Sequence, residues 1–361
     1  MREYDESETF SSFLFGDTQL YFEKEAEYLK KGIIDEANKR EGISFGITLG
    51  DLVGDDLNLH STYKNVIKQM NLPWYNLIGN HDKNYDAKND SLSDETFESN
   101  FGPATYAFNY GKAHFLVLDD IRYPHPVKGK GGYWGGLRED QFRFIENDLK
   151  QISPDHLIVI AMHIPLLDES DTDAFRNSDR QRLYSLLKNY PNVLFLSAHT
   201  HIQYNNFIGK KDGLDREKPI HEYNVGTTCG DWYSGVLDEK GVPVSTMRDG
   251  TPKGYAILNV KGNEYTIDYK VAGKPDDYQL SIYNPKVVPY KGRWITAGIY
   301  VNFFMGADDD IIEYRVDQGY WSKMNKIEDY DPAYYRYVQD WDFDSEVKPE
   351  RRPSNPQMCK H

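Results

Sequence analysis

Five short polar motifs in the first two hundred residues each follow an apolar run, and each carries side chains that can bind a metal ion. In chain order they are Gly16-Asp17-Thr18-Gln19, Gly50-Asp51, Gly79-Asn80-His81-Asp82, Met162-His163 and His199-Thr200-His201. Carboxylate, amide and imidazole groups together suit Mn, Fe, Zn or Mg rather than calcium. If the five motifs converge, they supply enough ligands for two divalent cations. Such a pair lowers the pKa of bound water and holds the oxygens of an in-line displacement at phosphorus.

The elements that must position these motifs are short apolar strands. The predicted strands before the motifs are 12–15, 43–49, 74–78, 157–161 and 193–197, with a further buried strand at 113–118. Stretches of helical periodicity at 23–38, 59–70, 139–149 and 178–188 alternate with them. This alternation is typical of a layered α/β architecture. Because open α/β sheets place their sites at the carboxyl ends of the strands, we expect the five motifs to meet at one edge.

The last hundred residues change character. Residues 255–260 and 265–271 predict a β-hairpin around a Gly-Asn turn, and 272–284 resembles a connecting segment. Strand-like pieces follow at 287–289, 294–304 and 311–316, among many tyrosines and tryptophans. We therefore predict two domains, 1–272 and 285–361, of which the second is small, β-rich and truncated at its C-terminal end.

Composition narrows the functional classes. The chain has 361 residues and a net charge of −15, which argues against general nucleic-acid binding because that depends on Lys and Arg neutralising phosphates. No apolar run reaches the ~18 residues that a membrane span needs. The 28 tyrosines, 17 phenylalanines and 6 tryptophans fit either ordinary sheet packing or a surface that stacks on sugars.

The five motifs, in this order, resemble the calcineurin-like metallophosphoesterase superfamily over approximately residues 10–270. The resemblance implies a four-layer α/β/β/α sandwich for the catalytic domain (1–272), with an appended β-rich domain as in some bacterial members. It also implies a dinuclear metal-dependent phosphoesterase. Such an enzyme hydrolyses a phosphomonoester or phosphodiester by in-line attack of a metal-bridging hydroxide.

The resemblance also assigns roles to individual residues. The first metal would be held by Asp17, Gln19 and His201, and the second by Asn80, His163 and His199. Asp51 would bridge the two ions. His81 would face the leaving oxygen as a proton donor, and Asp82, grouped with it as catalytic, would support the site from its edge.

Two positions depart from the family pattern. Gln19 stands where a histidine is usual, and its amide oxygen is a weaker and harder ligand that favours Mn or Mg over Zn at the first site. Gly54 stands where an acid usually orients the catalytic histidine. Asp55 or Asp56, one or two positions later, is expected to take that role.

Two glycine-rich loops carry aromatic residues that are predicted to contact the substrate. Residues 129–136 present Tyr133 and Trp134, and residues 227–235 present Trp232 and Tyr233. Such side chains stack on a base, a sugar or an aryl group, or else anchor the loop to the protein. Both interpretations stay open from the sequence.

Two alternative functions also stay open. The same centre would serve a pyrophosphate hydrolase acting on a nucleotide-sugar or nucleotide-lipid. A weakened first site at Gln19 would instead fit a catalytically silent protein that binds a glycan or a cell-surface partner. The expected partner is a small phosphate ester, with the oligomeric state undetermined. The resemblance favours a bacterial protein of the periplasm or a secreted one, whose signal segment has been removed from this chain.

Overall fold

The computed structural model describes residues 9–125, 132–167, 175–284, 298–346, 348 and 350–360. Its strands, numbered in chain order, are β1 Thr9–Phe15, β2 Ile43–Leu49, β3 Trp74–Leu77, β4 Tyr106–Tyr110, β5 Ala113–Val117, β6 Ile121–Arg122, β7 Trp134–Gly135, β8 Leu157–Ala161, β9 Val193–Ser197, β10 Tyr204–Ile208, β11 Ile220–Asn224, β12 Gly254–Lys261, β13 Glu264–Val271, β14 Leu280–Tyr283, β15 Tyr300–Phe303, β16 Glu313–Tyr314, β17 Ser322–Lys323, β18 Glu328–Asp329 and β19 Cys359–Lys360.

The helices connect these strands. They are α1 Glu25–Leu29, α2 Asp35–Ala37, α3 His60–Ile67, α4 Glu95–Phe101, α5 Glu139–Leu149, α6 Asn177–Leu187 and α7 Pro332–Phe343. A π-helical stretch, Lys30–Ile34, joins α1 to α2. Short 3₁₀ turns flank α3 at Leu57–Leu59 and Lys68–Met70, and another covers Asn80–Asp82.

Two sheets form the centre of the molecule. The first has the order β13-β12-β1-β2-β3, and the second β10-β11-β9-β8-β5-β4. Strands β1, β2 and β3 are parallel, as are β5, β8, β9 and β11, whereas the outer strands β12, β13, β10 and β4 pair antiparallel with their neighbours. The parallel strands therefore end at a common edge in each sheet.

Alternating side chains of these strands separate the molecule into layers. In β1, Leu14 lies in the core between the sheets, whereas Phe13 and Phe15 pack towards α1 and α3. In the second sheet, Val159 faces the inter-sheet core and Ile158 and Ile160 pack against α5 and α6. Because successive strand residues point to opposite faces, each buried strand serves two cores. The result is the four-layer α/β/β/α sandwich that the sequence predicts.

The predicted elements agree closely with the observed ones. The strands predicted at 43–49, 157–161 and 193–197 and the helix at 139–149 have the observed bounds. The hairpin is present as β12 and β13, paired through Lys261 and Glu264 around the turn. None of the helices within the described residues combines the length and apolar character that a bilayer crossing requires.

The C-terminal region is β-rich and contains small sheets, as predicted. Three two-stranded pairs, β14-β15, β16-β17 and β18-β19, lie after residue 279. The structure adds helix α7, which the sequence analysis did not predict, and a final short strand, β19, where none was expected. The strand-like piece predicted at 287–289 lies outside the described residues, as does the first part of 294–304. The boundaries 1–272 and 285–361 stay a prediction.

Candidate metal centre

The five polar motifs meet at the carboxyl ends of the parallel strands. Asp17 follows β1, Asp51 follows β2 and Asn80 follows β3 in the first sheet, while His163 follows β8 and His199 follows β9 in the second. The edges of the two sheets thus supply polar side chains to one place. The backbone turns sharply there, since φ is positive at Asp17, Gln19, Asp51, His199 and His201. Left-handed backbone at non-glycine residues is uncommon and concentrates at functional sites.

Four acceptor atoms converge in one half of the site. Nε2 of His163 lies 3.1 Å from Oδ1 of Asn80, 3.3 Å from Oδ2 of Asp51 and 3.3 Å from Nδ1 of His199. Nδ1 of His163 donates its proton to the carbonyl oxygen of Leu49 at 2.8 Å. In the neutral imidazole, Nε2 therefore carries a lone pair. A cation among these four atoms would replace the proton that the Asp51 carboxylate otherwise holds on Nε2 of His163.

The other half of the site contains acceptors without hydrogen-bond partners. Among the described residues, Oδ1 of Asp17, Oε1 of Gln19 and Oδ2 of Asp51 are buried and accept no hydrogen bond. His201 completes this group, because its Nε2 lies 3.7 Å from Oδ1 of Asp17. Buried polar atoms without partners are costly, so their clustering needs a physical reason.

A divalent cation in each half of the site fits these residues. The ligand atoms of Asp51, His163 and His199 lie within 4.8 Å of one another, which suits one cation, and the unpaired oxygens of Asp17 and Gln19 with Nε2 of His201 offer ligands for another. Asp51 belongs to both groups, since Oδ2 is unpaired and also lies 3.3 Å from His163. Mixed oxygen and imidazole ligands are those of Mn, Fe or Zn.

Burial and like charges shape the titration of these groups. Burial raises the pKa of Asp17 to about 6, although the nearby His201 and His163 oppose this shift. Burial, together with the charge of His163, lowers the pKa of His199 to about 3. Burial would also lower the pKa of His163, but the Asp51 carboxylate outweighs it and the pKa rises to about 10. His199 is thus neutral at pH 7, which leaves its lone pair free for a cation.

His81 lies beside the converging ligands. Its Nδ1 is 2.7 Å from Oδ1 of Asp55, its Nε2 is 4.0 Å from Oδ2 of Asp51, and its backbone N–H donates to Oδ1 of Asp51 at 2.9 Å. Burial acts to lower the pKa of His81, but Asp51 and Asp55 outweigh it and the pKa is raised. Of the two acids that the sequence offered as partners, Asp55 contacts the imidazole. Asp56 instead accepts from the backbone N–H of Asn58.

Asp82 occupies a supporting position rather than one facing the ligands. Its carboxylate accepts from the backbone N–H groups of Leu52, Val53 and Gly79 and lies 3.0 Å from Nε2 of His60. All four contacts are buried, so the carboxylate has no lone pair directed at a substrate. We therefore reassign Asp82 from catalysis to holding the two loops that carry Asp51 and His81.

Asp231 is a residue of the site that the sequence analysis missed. Its Oδ1 accepts from Nδ1 of His201 at 2.8 Å, and its Oδ2 lies 3.4 Å from Nε of Arg248. Burial would raise the pKa of Asp231, but the hydrogen bond from His201 and the charge of Arg248 hold it below its ordinary value. A carboxylate behind a liganding imidazole fixes its tautomer and orientation. The one available signal was an acid directly after a glycine, Gly230-Asp231, which resembles Gly50-Asp51.

The four predicted aromatic residues separate into two groups. The Tyr133 ring lies 6.0 Å from that of His199, and the Trp232 ring lies 5.2 Å from that of His201, so these two border the centre. The guanidinium carbons of Arg122 and Arg176 lie 5.4 and 5.3 Å from the centre of the Trp134 ring. In the described part of the chain, Trp134 has no contact with the predicted ligands.

Tyr233 anchors its loop. Its side chain is 4% exposed, and its hydroxyl donates to the carbonyl oxygen of Thr18 at 2.9 Å. Its ring packs in the core between the first sheet and its helices, so it is not available to a ligand. We therefore reassign Tyr233 from substrate contact to the anchoring role that the sequence had left open.

Two further tyrosines border the centre and were not predicted. The Tyr21 ring lies 6.2 Å from that of His81. Burial raises the pKa of Tyr85, the charges of Tyr133 and Asp51 raise it further, and the side chain of Asn80 opposes the shift. Together with Tyr133 and Trp232 they surround the ligands with aromatic side chains. Neither follows a strand directly, so no motif marked them.

Comparison with known proteins identifies relatives of both parts of the chain. Residues 13–203 match the sequence profile of the calcineurin-like phosphoesterases, and residues 222–361 match that of the C terminal of calcineurin-like phosphoesterase. A protein of Arcobacter nitrofigilis named probable glycerophosphodiester phosphodiesterase GpdQ is 27% identical over 187 residues, which are 49% of this chain and 63% of that protein. The present chain therefore aligns with less than two thirds of that relative.

Solved structures with a similar fold include PhoD. That structure superposes with a TM-score of 0.52 at 12% identity and covers 97% of this chain and 74% of its own. A dimetal phosphatase from Danio rerio gives a TM-score of 0.46 at 12% identity, over 72% of this chain and 98% of its own. At this identity the similarity to PhoD concerns the fold alone.

Proposed function

The chain belongs to the calcineurin-like phosphoesterase family, and on that premise we propose that it hydrolyses a small phosphomonoester or phosphodiester at a centre of two divalent cations. The observation that carries this proposal is the convergence of buried acceptors from both sheets, including three oxygens without partners among the described residues. Without a bound cation, the free-energy cost of burying these unpaired oxygens would not be offset.

The ligands divide into two groups around one shared carboxylate. We assign Asp17, Gln19 and His201 to the first cation, and Asn80, His163 and His199 to the second, with Asp51 between them. The contacts that support this division are those of His163 to Asn80 and Asp51 and the unpaired oxygens of Asp17 and Gln19. Gln19 contributes a neutral oxygen, which favours Mn or Mg at the first position.

His81 is the residue that we assign to proton transfer. Two bound cations would lower the pKa of a coordinated water and offset charge on the phosphoryl oxygens. His81 then donates the proton that the leaving oxygen needs. Its Nδ1 is held by Asp55, which leaves Nε2 directed towards the centre, 4.0 Å from Oδ2 of Asp51. The raised pKa, in which Asp51 and Asp55 outweigh burial, favours the protonated donor.

The type of ester is supported by a relative. The Arcobacter nitrofigilis protein carries the name of a phosphodiesterase, which favours a phosphodiester for the present chain. Phosphomonoesters stay within the proposal, because the same ligand groups serve either substrate.

The experiment that tests the proposal measures metal content and turnover together. Protein purified without chelator is analysed for metals and assayed, with added Mn, on p-nitrophenyl phosphate and its bis ester. We expect about two metals per chain and clear hydrolysis, with the preferred ester defining the substrate class. Less than one metal per chain and no turnover after Mn loading would contradict the proposal. Glycan binding under those conditions would support the silent binding protein instead.

A further inference from the structure

The C-terminal segment, residues 350–358, runs along the loop that follows β11. The backbone N–H of Gly235 donates to the carbonyl oxygen of Arg351 at 2.9 Å, and the N–H of Gln357 donates to that of Arg248 at 2.9 Å. This loop carries Asp231, which orients His201. The C-terminal segment is therefore attached at two points to a loop that forms part of the candidate metal centre.

Arg351 extends from this segment to the border of the centre. Its Nη1 donates to the carbonyl oxygen of Trp232 at 3.2 Å, and its guanidinium carbon lies 4.8 Å from the centre of the Tyr21 ring. The Tyr21 ring lies 6.2 Å from His81, and the Trp232 ring lies 5.2 Å from His201. The guanidinium thus lies beside the Tyr21 ring and the backbone carbonyl of Trp232, and the side chains of both residues lie near an imidazole of the centre.

Arg351 differs from Arg248 and Arg352 in how its charge is paired. Arg248 lies 3.4 Å from Asp231, and Arg352 lies 2.6 Å from Asp342. Within the described ranges, Arg351 forms no ion pair within 4.0 Å, and its charge acts on the buried carboxylate of Glu25, which already accepts from the backbone N–H groups of Tyr21 and Phe22. A guanidinium offers five donors in a planar fork that matches the oxygens of a carboxylate or phosphate. An oxyanion on a ligand would supply the missing partner.

We propose that Arg351 binds an oxyanion carried by the leaving group of the substrate, and so selects esters or anhydrides whose leaving group carries a phosphate or carboxylate charge in addition to the leaving oxygen. This inference rests on the proposed function, in which His81 faces the leaving oxygen. A group attached to that oxygen extends past His81 towards Tyr21 and the guanidinium beside it. The pyrophosphate bond of a nucleoside diphosphate belongs to this class.

The reaction itself is ordinary hydrolysis, and Arg351 takes no part in bond making. The bond from phosphorus to the leaving oxygen breaks, and the hydroxyl of one water molecule joins phosphorus. The remaining proton of that water is transferred, through His81, to the leaving oxygen. The second oxyanion leaves unchanged, so Arg351 is a specificity-determining residue.

The test compares two substrates that differ by one charge on the leaving group, phenyl phosphate and 4-carboxyphenyl phosphate. For Arg351→Met, we expect KM for 4-carboxyphenyl phosphate to rise roughly 10- to 100-fold, the loss typical of one charged hydrogen-bonded contact, with little change in kcat. The effect on phenyl phosphate should be much smaller, so the ratio of the two kcat/KM values falls. Arg351→Lys should recover part of this ratio, because it keeps the charge and loses the fork.

Arg352→Met is the matched control, since it removes the adjacent arginine, which pairs with Asp342 at the surface. We expect this variant to keep the wild-type ratio. Equal losses of kcat/KM on both substrates in Arg351→Met, or no loss on either, would overturn the specificity role. Hydrolysis of phenyl phosphate by wild type would still uphold the proposed function in that case. If wild type loaded with Mn hydrolyses neither substrate, the proposed function fails and this inference falls with it.

Discussion

Two imidazoles at the candidate metal centre are oriented by hydrogen bonds on the far side of each ring. His163 donates from Nδ1 to the carbonyl oxygen of Leu49, and His201 donates from Nδ1 to the carboxylate of Asp231. Each bond fixes the tautomer and leaves Nε2 directed at the centre. A neutral carbonyl and a buried carboxylate thus perform the same orienting task.

Asp51 is the residue whose replacement should affect both cations. In Asp51→Asn, the shared carboxylate loses its charge, and we expect the metal content to fall below one per chain because a bridge serves two positions. Asp17→Asn is the matched variant, since Asp17 belongs only to the first group, and it should keep about one metal. Elemental analysis after gel filtration measures both. A full metal complement in Asp51→Asn would refute the bridging role.

His81 and Asp55 should separate proton transfer from metal binding. We expect His81→Ala to lower kcat by roughly 10²–10⁴, with the metal content unchanged. Asp55→Asn should lower kcat less, because the imidazole stays in place and loses only the carboxylate at Nδ1. Asp56→Asn provides the control, since Asp56 caps a short turn at Asn58 and does not touch His81. Loss of metal from His81→Ala would make His81 a ligand instead.

At the scale of elements, the predictions succeeded where one strand leads directly to one functional residue. Strand β8 is a continuous apolar run that ends shortly before His163, and β2, whose last five residues are buried, ends before Gly50-Asp51. Burial on both faces produces such runs, so the sequence carries the signal locally. Strand β11 was missed because it reads Ile-His-Glu-Tyr-Asn, without a continuous apolar run. Helix α7 was missed because its tyrosines and tryptophan suggested strands, whereas its buried side chains are Tyr334 and Val338.

Residues that act through long loops could not be predicted in the same way. Asp231 reaches His201 from 30 positions away, and Arg351 reaches Tyr21 from more than 300 positions away along the printed sequence. Neither position follows a strand end, and no period in the sequence connects the partners. Their placement depends on how the loop after β11 and the C-terminal segment pack, which is a property of the tertiary structure.

Strand β11 carries a buried acid that should make the stability of the fold depend on pH. Glu222 accepts from the backbone N–H groups of Leu166 and Leu167, and burial raises its pKa from 4.5 to about 7, although these bonds oppose the shift. The folded state therefore holds a proton that the unfolded state releases above pH 4.5. The stabilisation is complete below pH 4.5 and is lost as pH rises to about 7.

Urea unfolding at pH 4.5 and pH 8 measures this contribution. Between these values, we expect wild type to lose up to about 3 kcal/mol more stability than Glu222→Gln, which cannot release a proton. Glu239→Gln, which replaces an exposed acid, should behave as wild type. Parallel pH profiles for wild type and Glu222→Gln would show that Glu222 titrates alike in the folded and unfolded states.

At the scale of the whole molecule, the candidate centre joins two sheets that otherwise meet through an apolar core. Asp17, Asp51 and Asn80 come from the ends of β1, β2 and β3, whereas His163 and His199 come from β8 and β9. The C-terminal segment adds a third contribution through Arg351, which contacts Trp232. A cation held by these groups therefore connects parts of the chain that lie far apart in sequence.

Metal removal should consequently lower the unfolding temperature of the entire fold. A ligand that binds only the folded state adds about 2.7 kcal/mol of stability when its free concentration is 100 times its Kd. For a domain of 150–250 residues, each kcal/mol corresponds to roughly 2–4 °C, so chelation should lower Tm by several degrees and Mn should restore it. Calorimetry of wild type and Asp51→Asn, each with and without chelator, measures this change in Tm. We expect the Tm of the variant to be the same with and without chelator, because the shared carboxylate is lost. An identical Tm for chelated and Mn-loaded wild type would mean that the unpaired oxygens of Asp17, Gln19 and Asp51 do not hold a cation.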